Sequence, residues 1–244
     1  MAGVAHEFAL YYPDLPTKQT ANYALKAEEL MHRIKQVLRL VAEDELVLFN
    51  AECHATFKIT AITKKEILGL LGKPVCNAQF SPHITVYLPI LKRVALEEAL
   101  YAAVELGAQA IQLISTQKTP PLGNKQELER LNRIIIAAAE QSKNFAVPKL
   151  YAPVPLAHAL AQANNKAAKV YADATGTPLL EIMQQITTKK PADLIFMVGP
   201  AGDLIEEEKL AVITAGFALC ALTPTVLRSQ QALALGLGAL RALQ

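Results

Sequence analysis

The sequence predicts an α/β protein whose larger, C-terminal part is built on a mainly parallel sheet and is preceded by a small β-rich unit. Three observations carry that reading. From about residue 83 short apolar runs alternate with helical segments, the rhythm of strands joined by crossover helices. Before about residue 72, apolar runs of strand length surround one amphipathic stretch. Between the two, Gly69, Gly72, Pro74, Asn77, Ser81 and Pro82 interrupt regular periodicity, so the expected organisation is residues 1–72, a linker over 73–82, and residues 83–244.

Taken in order, Glu7 to Tyr12 reads as a first strand closed by Pro13 and Pro16. Ala27 to Leu40 reads as a helix with Leu30, Ile34, Val37 and Leu38 on one side and His32, Arg33, Lys35 and Arg39 over much of the rest. Leu46 to Asn50 and Cys53 to Thr63 read as strands, the second alternating through Phe57 and Ile59; strands around a single helix suggest a small barrel. After the linker come a strand at Ile84 to Leu88, a helix at Val94 to Leu106 closed by Gly107, and a strand at Ala110 to Ser115. Gln126 to Ser142 is a long helix with Ile134, Ile135, Ala138 and Gln141 available for packing. Leu156 to Gln162 is a shorter helix and Ala168 to Ala172 a strand, and Pro178 suits the start of a helix running to Thr187.

The last fifty residues are the most legible. Asp193 to Val198 is an apolar run of the buried-strand kind that stops at Gly199-Pro200-Ala201-Gly202, where the backbone must turn. Ile205 to Ala215 reads as a helix with Glu206, Glu207 and Glu208 at the positive end of its macrodipole and Gly216 just past its end. Phe217 to Leu222 is a further strand, ended by Thr223-Pro224-Thr225 before a closing helix that starts near Val226. Two such loops at the carboxyl ends of adjacent strands make a crevice for a small ligand. Gly236 and Gly238 lie inside the closing helix, where close packing against another helix is their expected use.

Composition sets outer bounds. Hydrophobic residues make up 52% of the 244 and charged residues 19%, which predicts a folded, rather apolar protein with some surface left for an interface. A net charge of +2 permits a nucleic-acid partner but leaves the attraction to local patches. Cys53, Cys76 and Cys220 have neither a CxxC nor a metal-ligand spacing, so a reducing cytosol is expected and structural disulfides or zinc are not. His6 and Glu7 near the start, and the lack of eighteen consecutive apolar residues, argue against a signal peptide and a membrane span. The five histidines show no HExxH pairing, Ser81 and Ser142 lack a GxSxG setting, and strand alternation separates His54 from Cys53. Metal-dependent and hydrolytic chemistry are therefore not expected.

Several motifs point to one family. Gly199-Pro-Ala-Gly-Asp203, Ala215-Gly216-Phe217 and Leu222-Thr-Pro-Thr-Val-Leu-Arg-Ser-Gln-Gln-Ala232 resemble the closing signature of the bacterial methyltransferases that modify N3 of a uridine in small-subunit ribosomal RNA, a family of the SPOUT class. Their usual pattern is GPEGG, a helix, then LGxRxLRxETA. His32-Arg-Ile-Lys-Gln-Val-Leu-Arg-Leu40 is similar to the family's HxxxVLRL segment, Leu88-Pro89 with Lys92 to its LPK segment, and Arg130, Ala138-Ala-Glu-Gln-Ser142 and Val147-Pro148 to its RWxxI, AxEQSxR and VP run. The resemblance implies a PUA-like barrel followed by a SPOUT-type, trefoil-knotted domain, a homodimer, S-adenosylmethionine as cofactor, and a cytoplasmic enzyme acting on 16S ribosomal RNA. It implies cofactor contacts from Gly199, Pro200, Gly202, Leu222, Val226, Leu227 and Ser229, a catalytic cation at Arg228, and RNA contacts from Arg33, Lys35, Arg39 and Lys92.

The departures from the pattern run in one direction. Ala201 and Gln230 stand where glutamate is usual, Gln117, Asn144 and Thr225 where arginine is, Ala102 where lysine is, and Asp203 and Thr223 where glycine is. Two further readings follow: a catalytically weakened relative that binds RNA or a partner, and an enzyme retargeted to another RNA. Asp203 can take a left-handed backbone, whereas Thr223 is a poor fit if one is required there.

Overall fold

The computed structural model describes residues 8–121 and 125–243, so Glu7 of the expected first strand and the terminal Gln244 lie outside the described residues. The chain divides into two compact units, residues 1–78 with 139–147, and residues 79–138 with 148–244. The division thus falls inside the segment read as a linker, and a short stretch from far along the chain belongs to the first unit.

In the first unit, β1 (Phe8–Tyr11), β2 (Thr20–Leu25), β3 (Glu45–Phe49), β4 (Cys53–Ile62) and β5 (Ile67–Leu71) form a sheet in the order β1-β3-β4-β5-β2, with β6 (Val75–Cys76) paired to β4. All its pairings are antiparallel except that of β1 with β3. Along β4 the alternation read from the sequence puts Cys53, Ala55, Phe57 and Ile59 in the core, against Leu25, Ile34 and others. The expected helix is shorter and changes character: α1 (Glu28–His32) passes into a π-helical turn, Arg33–Val37, closed by Leu38 N–H donating to the Arg33 carbonyl at 2.9 Å. That wider turn shifts the helical register. Leu30 and Ile34 stay buried, but Val37, expected on the same side, is 64% exposed, and Arg39 has a left-handed backbone with φ 55°.

The second unit is a six-stranded parallel sheet in the order β12-β10-β11-β7-β8-β9. Its strands are β7 (His83–Pro89), β8 (Ala110–Ser115), β9 (Lys149–Pro155), β10 (Ala168–Pro178), β11 (Asp193–Met197) and β12 (Ala218–Ala221). Between them run α2 (Arg93–Glu105), α3 (Lys125–Ser142, whose last residues belong to the first unit), α4 (Leu156–Gln162), α5 (Leu179–Lys189) and α6 (Glu206–Thr214), and α7 (Ser229–Arg241) follows the last strand. On α3 the helical spacing buries Leu131, Ile135 and Ala138, while Gln141 faces solvent rather than packing. Near-continuous burial of β7 and β11 fits strands covered on both faces.

Two expectations about the last fifty residues are corrected. β11 and β12 are not adjacent, because β10 lies between them and pairs with both. Strand order is decided by long-range pairing, which no local pattern announces. The closing helix also starts later than Val226: Arg228 is still extended with φ −66° and ψ 152°, α7 begins at Ser229, and Val226 is 86% exposed. The helix between them follows the sequence more closely, with its three glutamates in the first turn and Gly216 at φ 86° just past its end.

Candidate active site

The carboxyl ends of β7, β11 and β12, together with the Tyr171–Thr175 stretch of β10, open into one cleft of about 730 Å³ in the second unit. Parallel strands direct their following loops to the same edge, and here the sheet order brings three of them together. Leu91, Leu222, Val226 and Leu227 supply apolar wall, while Gly199 and Pro200 come from the loop after β11. The volume lies within the usual range for small-molecule sites, roughly 300–1,000 Å³.

The loop after β11 is held from two sides. Ser229, the first residue of α7, donates its hydroxyl to the Gly199 carbonyl at 2.7 Å. Opposite it, the buried Tyr171 of β10 donates to Asp203 Oδ1 at 3.3 Å, and the same oxygen accepts the Leu204 N–H at 2.7 Å. Asp203 sits at φ 59°, stabilised by its own side-chain bond to the following amide, which is how a position that favours glycine accepts aspartate. Thr223 does not adopt a left-handed backbone, so its side chain carries no such strain. Glycine is needed at Gly199 for another reason, since a Cβ there would stand 2.9 Å from the Tyr171 hydroxyl. Burial, and then the Asp203 and Asp173 carboxylates, hold the Tyr171 phenol far above its ordinary pKa, so it serves as a neutral donor.

A second polar cluster closes one side of the cleft. Lys209 of α6 meets Asp173 at 2.7 Å, with the Asp173 side chain 5% exposed and that of Lys209 21%. Thr175 adds its amide at 2.8 Å and its hydroxyl at 2.6 Å, both to Asp173 Oδ1. Burial opposes ionisation of Asp173, but Lys209 and the two Thr175 bonds outweigh it and keep the carboxyl below its usual range; the same pairing raises Lys209. The pair is therefore ionised at neutral pH, tying the end of β10 to α6. Cys220, also on the cleft, has its thiol pushed up to about 11 by burial and stays protonated.

Cations at the mouth differ in how far they are committed. Arg228 lines the cleft, is exposed, and makes no side-chain hydrogen bond or ion pair with another described residue. Lys92, just before α2, is exposed on the same cleft. Arg130, which does not line the cleft, is fully engaged, paired with Glu127 at 2.6 Å and with Glu97.

With this geometry in place the similarities to known proteins become informative. The model of the RNA methyltransferase domain family matches residues 79–241, the extent of the second unit apart from the stretch lent to the first. The chain belongs to this family. Proteins named ribosomal RNA small subunit methyltransferase E resemble it along most of its length: that of Synechocystis is 27% identical over 87% of this chain and 71% of its own, and that of Buchnera aphidicola 24% over 88% and 86%. A crystal structure of ribosomal RNA small subunit methyltransferase E from Neisseria gonorrhoeae bound to S-adenosyl methionine superposes with a TM-score of 0.87 at 23% identity, covering 98% of each chain. That likeness shows the fold, a mixed α/β chain whose parallel-sheet domain is preceded by a small β-rich unit, as expected of a SPOUT-type architecture.

For a member of the RNA methyltransferase domain family, most of the residues expected at the cofactor site do converge: Gly199, Pro200, Leu222, Val226, Leu227 and Ser229 all line the cleft, with Arg228 and Lys92 beside them. Gly202 does not line it; its carbonyl accepts a bond from Lys118 Nζ at 2.7 Å on the outer side of the loop. The remaining three basic residues belong to the first unit. Arg33 is locked to Glu140 through two bonds of 2.8 and 2.5 Å, Lys35 donates to the Thr63 carbonyl at 2.6 Å, and Arg39 is exposed. Sequence reading missed Tyr171, Asp173, Thr175 and Lys209. The signal available for the β10 group was Asp173-Ala-Thr-Gly-Thr-Pro178, a turn-rich run directly after an apolar strand.

Proposed function

We propose that this protein transfers a methyl group from S-adenosylmethionine to N3 of a uridine in small-subunit ribosomal RNA. The observation that carries the reading is the single cleft built from three strand-end loops, with the bare Gly199 inside it, apolar side chains on its wall and an uncommitted arginine at its edge. Its volume suits a nucleoside-sized molecule, and its apolar wall with an open backbone loop suits an adenosyl group. When bound, the cofactor supplies an electrophilic methyl on a sulfonium. Gly199, Pro200 and the Leu222–Leu227 segment hold and orient it, and the Tyr171–Asp203 and Ser229 bonds keep that loop rigid so that little reorganisation is needed. Arg228 stabilises the negative charge that develops on the uracil imide as N3 loses its proton, and Lys92 steers the RNA backbone. Lys35 and Arg39 of the first unit contribute further phosphate contacts, with Arg33 positioning that segment through Glu140.

The names of the relatives support small-subunit ribosomal RNA as the substrate, and a cytoplasmic place of action belongs to the same reading. Homodimerisation is part of the same reading, supported by apolar Val94 and Tyr101 of α2 and Leu235 of α7, which are exposed on two helices that pack together. The test is methyl transfer to small ribosomal subunits from cells lacking the modification, alongside calorimetric titration with S-adenosylmethionine. Arg228→Ala is expected to lower transfer by on the order of 10²-fold, the loss typical of one charge-stabilising group, and to leave cofactor affinity nearly unchanged. Equal loss of both would assign Arg228 to the loop's structure instead.

A further inference from the structure

Cys53 and Cys76 are 23 positions apart in sequence and directly opposite each other in the β4–β6 pairing. The hydrogen bonds around them define the kind of site. Asn77 N–H donates to the Glu52 carbonyl at 2.9 Å, while the Glu52 N–H is taken by Asn50 Oδ1, so Glu52 and Asn77 stand at a hydrogen-bonding position and the next pair, Cys53 with Cys76, at a non-hydrogen-bonded one. The Cys53 amide accordingly turns to the Asn50 side chain, at 2.9 Å. At such a site opposed Cα atoms are about 4.5 Å apart with their side chains on one face of the sheet, inside the roughly 4.4–6.8 Å that a disulfide spans.

The pairing is anchored, although β6 is short. Asn77, next to Cys76, is buried and uses its whole side chain: Oδ1 meets His54 Nδ1 at 2.9 Å, and Nδ2 donates to the carbonyls of Asn50 and Phe145 at 2.9 Å each. All of these partners belong to the first unit. Both sulfurs are free thiols, Cys53 buried and Cys76 exposed. Burial, with Cys76 and Glu52 nearby, pushes the Cys53 thiol up, which leaves the outer cysteine as the point of attack.

We propose that Cys53 and Cys76 form a reversible thiol–disulfide exchange site, whose co-reactant is a low-molecular-weight disulfide. The Cys76 thiolate attacks one sulfur of that disulfide, forming a mixed disulfide and releasing the other half as a thiolate, which takes up the Cys76 proton. Cys53 sulfur then attacks Cys76 Sγ, the second half leaves as a thiol carrying the Cys53 proton, and the cross-strand bond closes. Two protein thiols are oxidised by two electrons and one small disulfide is reduced to two thiols, so nothing else is consumed. The closed bond staples β6 to β4, and small thiols reopen it.

The experiment is incubation of the full-length protein with oxidised glutathione, followed by blocking of free thiols and non-reducing peptide mass mapping. Wild type is expected to yield linked Cys53 and Cys76 peptides with Cys220 unmodified, while Cys53→Ser stalls as a glutathione adduct on Cys76 and Cys76→Ser takes up little. Reduced glutathione in excess should restore both thiols. A stable glutathione adduct on Cys76 in wild type, as in Cys53→Ser, would overturn the proposal, and so would unmodified cysteines throughout. Circular dichroism of each variant confirms that folded protein is being compared; Cys53→Ala serves in place of Cys53→Ser if the hydroxyl is not tolerated in the core.

Discussion

Two glycines on the same helix, two residues apart, should answer the same substitution with opposite signs. On α7, a Cβ added at Gly236 would lie 2.2 Å from Cζ of the fully buried Phe196 ring, whereas one at Gly238 would lie 3.7 Å from the nearest Leu106 methyl. Both changes to alanine gain about 1 kcal/mol of helix propensity. At Gly238 nothing opposes that gain, because 3.7 Å is ordinary van der Waals contact. At Gly236 the helix and the ring must separate by about 1.2 Å to reach 3.4 Å, the near edge of such contact, and overpacking of a dense core costs roughly 1–3 kcal/mol. Phe196 stands on β11 with no exposed surface, so the upper part of that range applies and Gly236→Ala is expected to destabilise by about 2 kcal/mol net. In thermal unfolding this is a fall of roughly 4–8 °C, against a small rise for Gly238→Ala. There is a functional corollary. α7 opens with Ser229, whose hydroxyl holds the Gly199 carbonyl, so moving the helix off Phe196 should also weaken binding of S-adenosylmethionine in the Gly236 variant alone. Shifts of the same sign in both variants would refute the argument, since what faces the added methyl group is the difference it relies on.

Other expectations follow from the ion pairs. Lys209→Met leaves the Asp173 carboxylate buried without its cation and should destabilise by about 1–3 kcal/mol, less than the 3–5 of a fully buried pair because Lys209 keeps a fifth of its side chain in water. Asp173 has a depressed pKa, so its contribution is complete above its ordinary value of 3.8 and is lost as pH falls through the folded value; Lys209, raised above 10.5, loses its share only as pH rises past that. The deficit of the variant, read from denaturant unfolding, should therefore be flat between about pH 5 and 10 and shrink in acid. In the first unit, Arg33→Ala should lower stability by removing the two-bonded partner of the nearly buried Glu140, while Arg39→Ala leaves stability alone and flattens the salt dependence of RNA binding. An unchanged slope for Arg39→Ala would return that residue to solvent.

What could be read from the chain depended on whether a local pattern decided the outcome. β11, α6 and the Gly199 loop were legible because an apolar run, a glycine-proline stop and a cluster of glutamates are each interpretable within a few residues. β2 was not, since Thr20–Leu25 is a mixed, half-exposed edge without clean alternation, and β9 carries two prolines, which usually argue against a strand. The cleft shows the same divide on a larger scale. Residues that enter it through the loops after β11 and β12 were found in sequence, because those loops look like ligand loops. Tyr171, Asp173 and Thr175 were missed, because their place depends on β10 being inserted between β11 and β12, a choice made by hydrogen bonds between segments some 25 to 50 residues apart. The departures from the family pattern gain content for the same reason. Aspartate at position 203, where glycine is usual, reads in sequence only as a residue able to take a left-handed backbone, yet in the fold its carboxylate receives the Tyr171 hydroxyl and the Leu204 amide and holds the loop in place. A side chain that local sequence marks only as tolerable is part of what shapes the site.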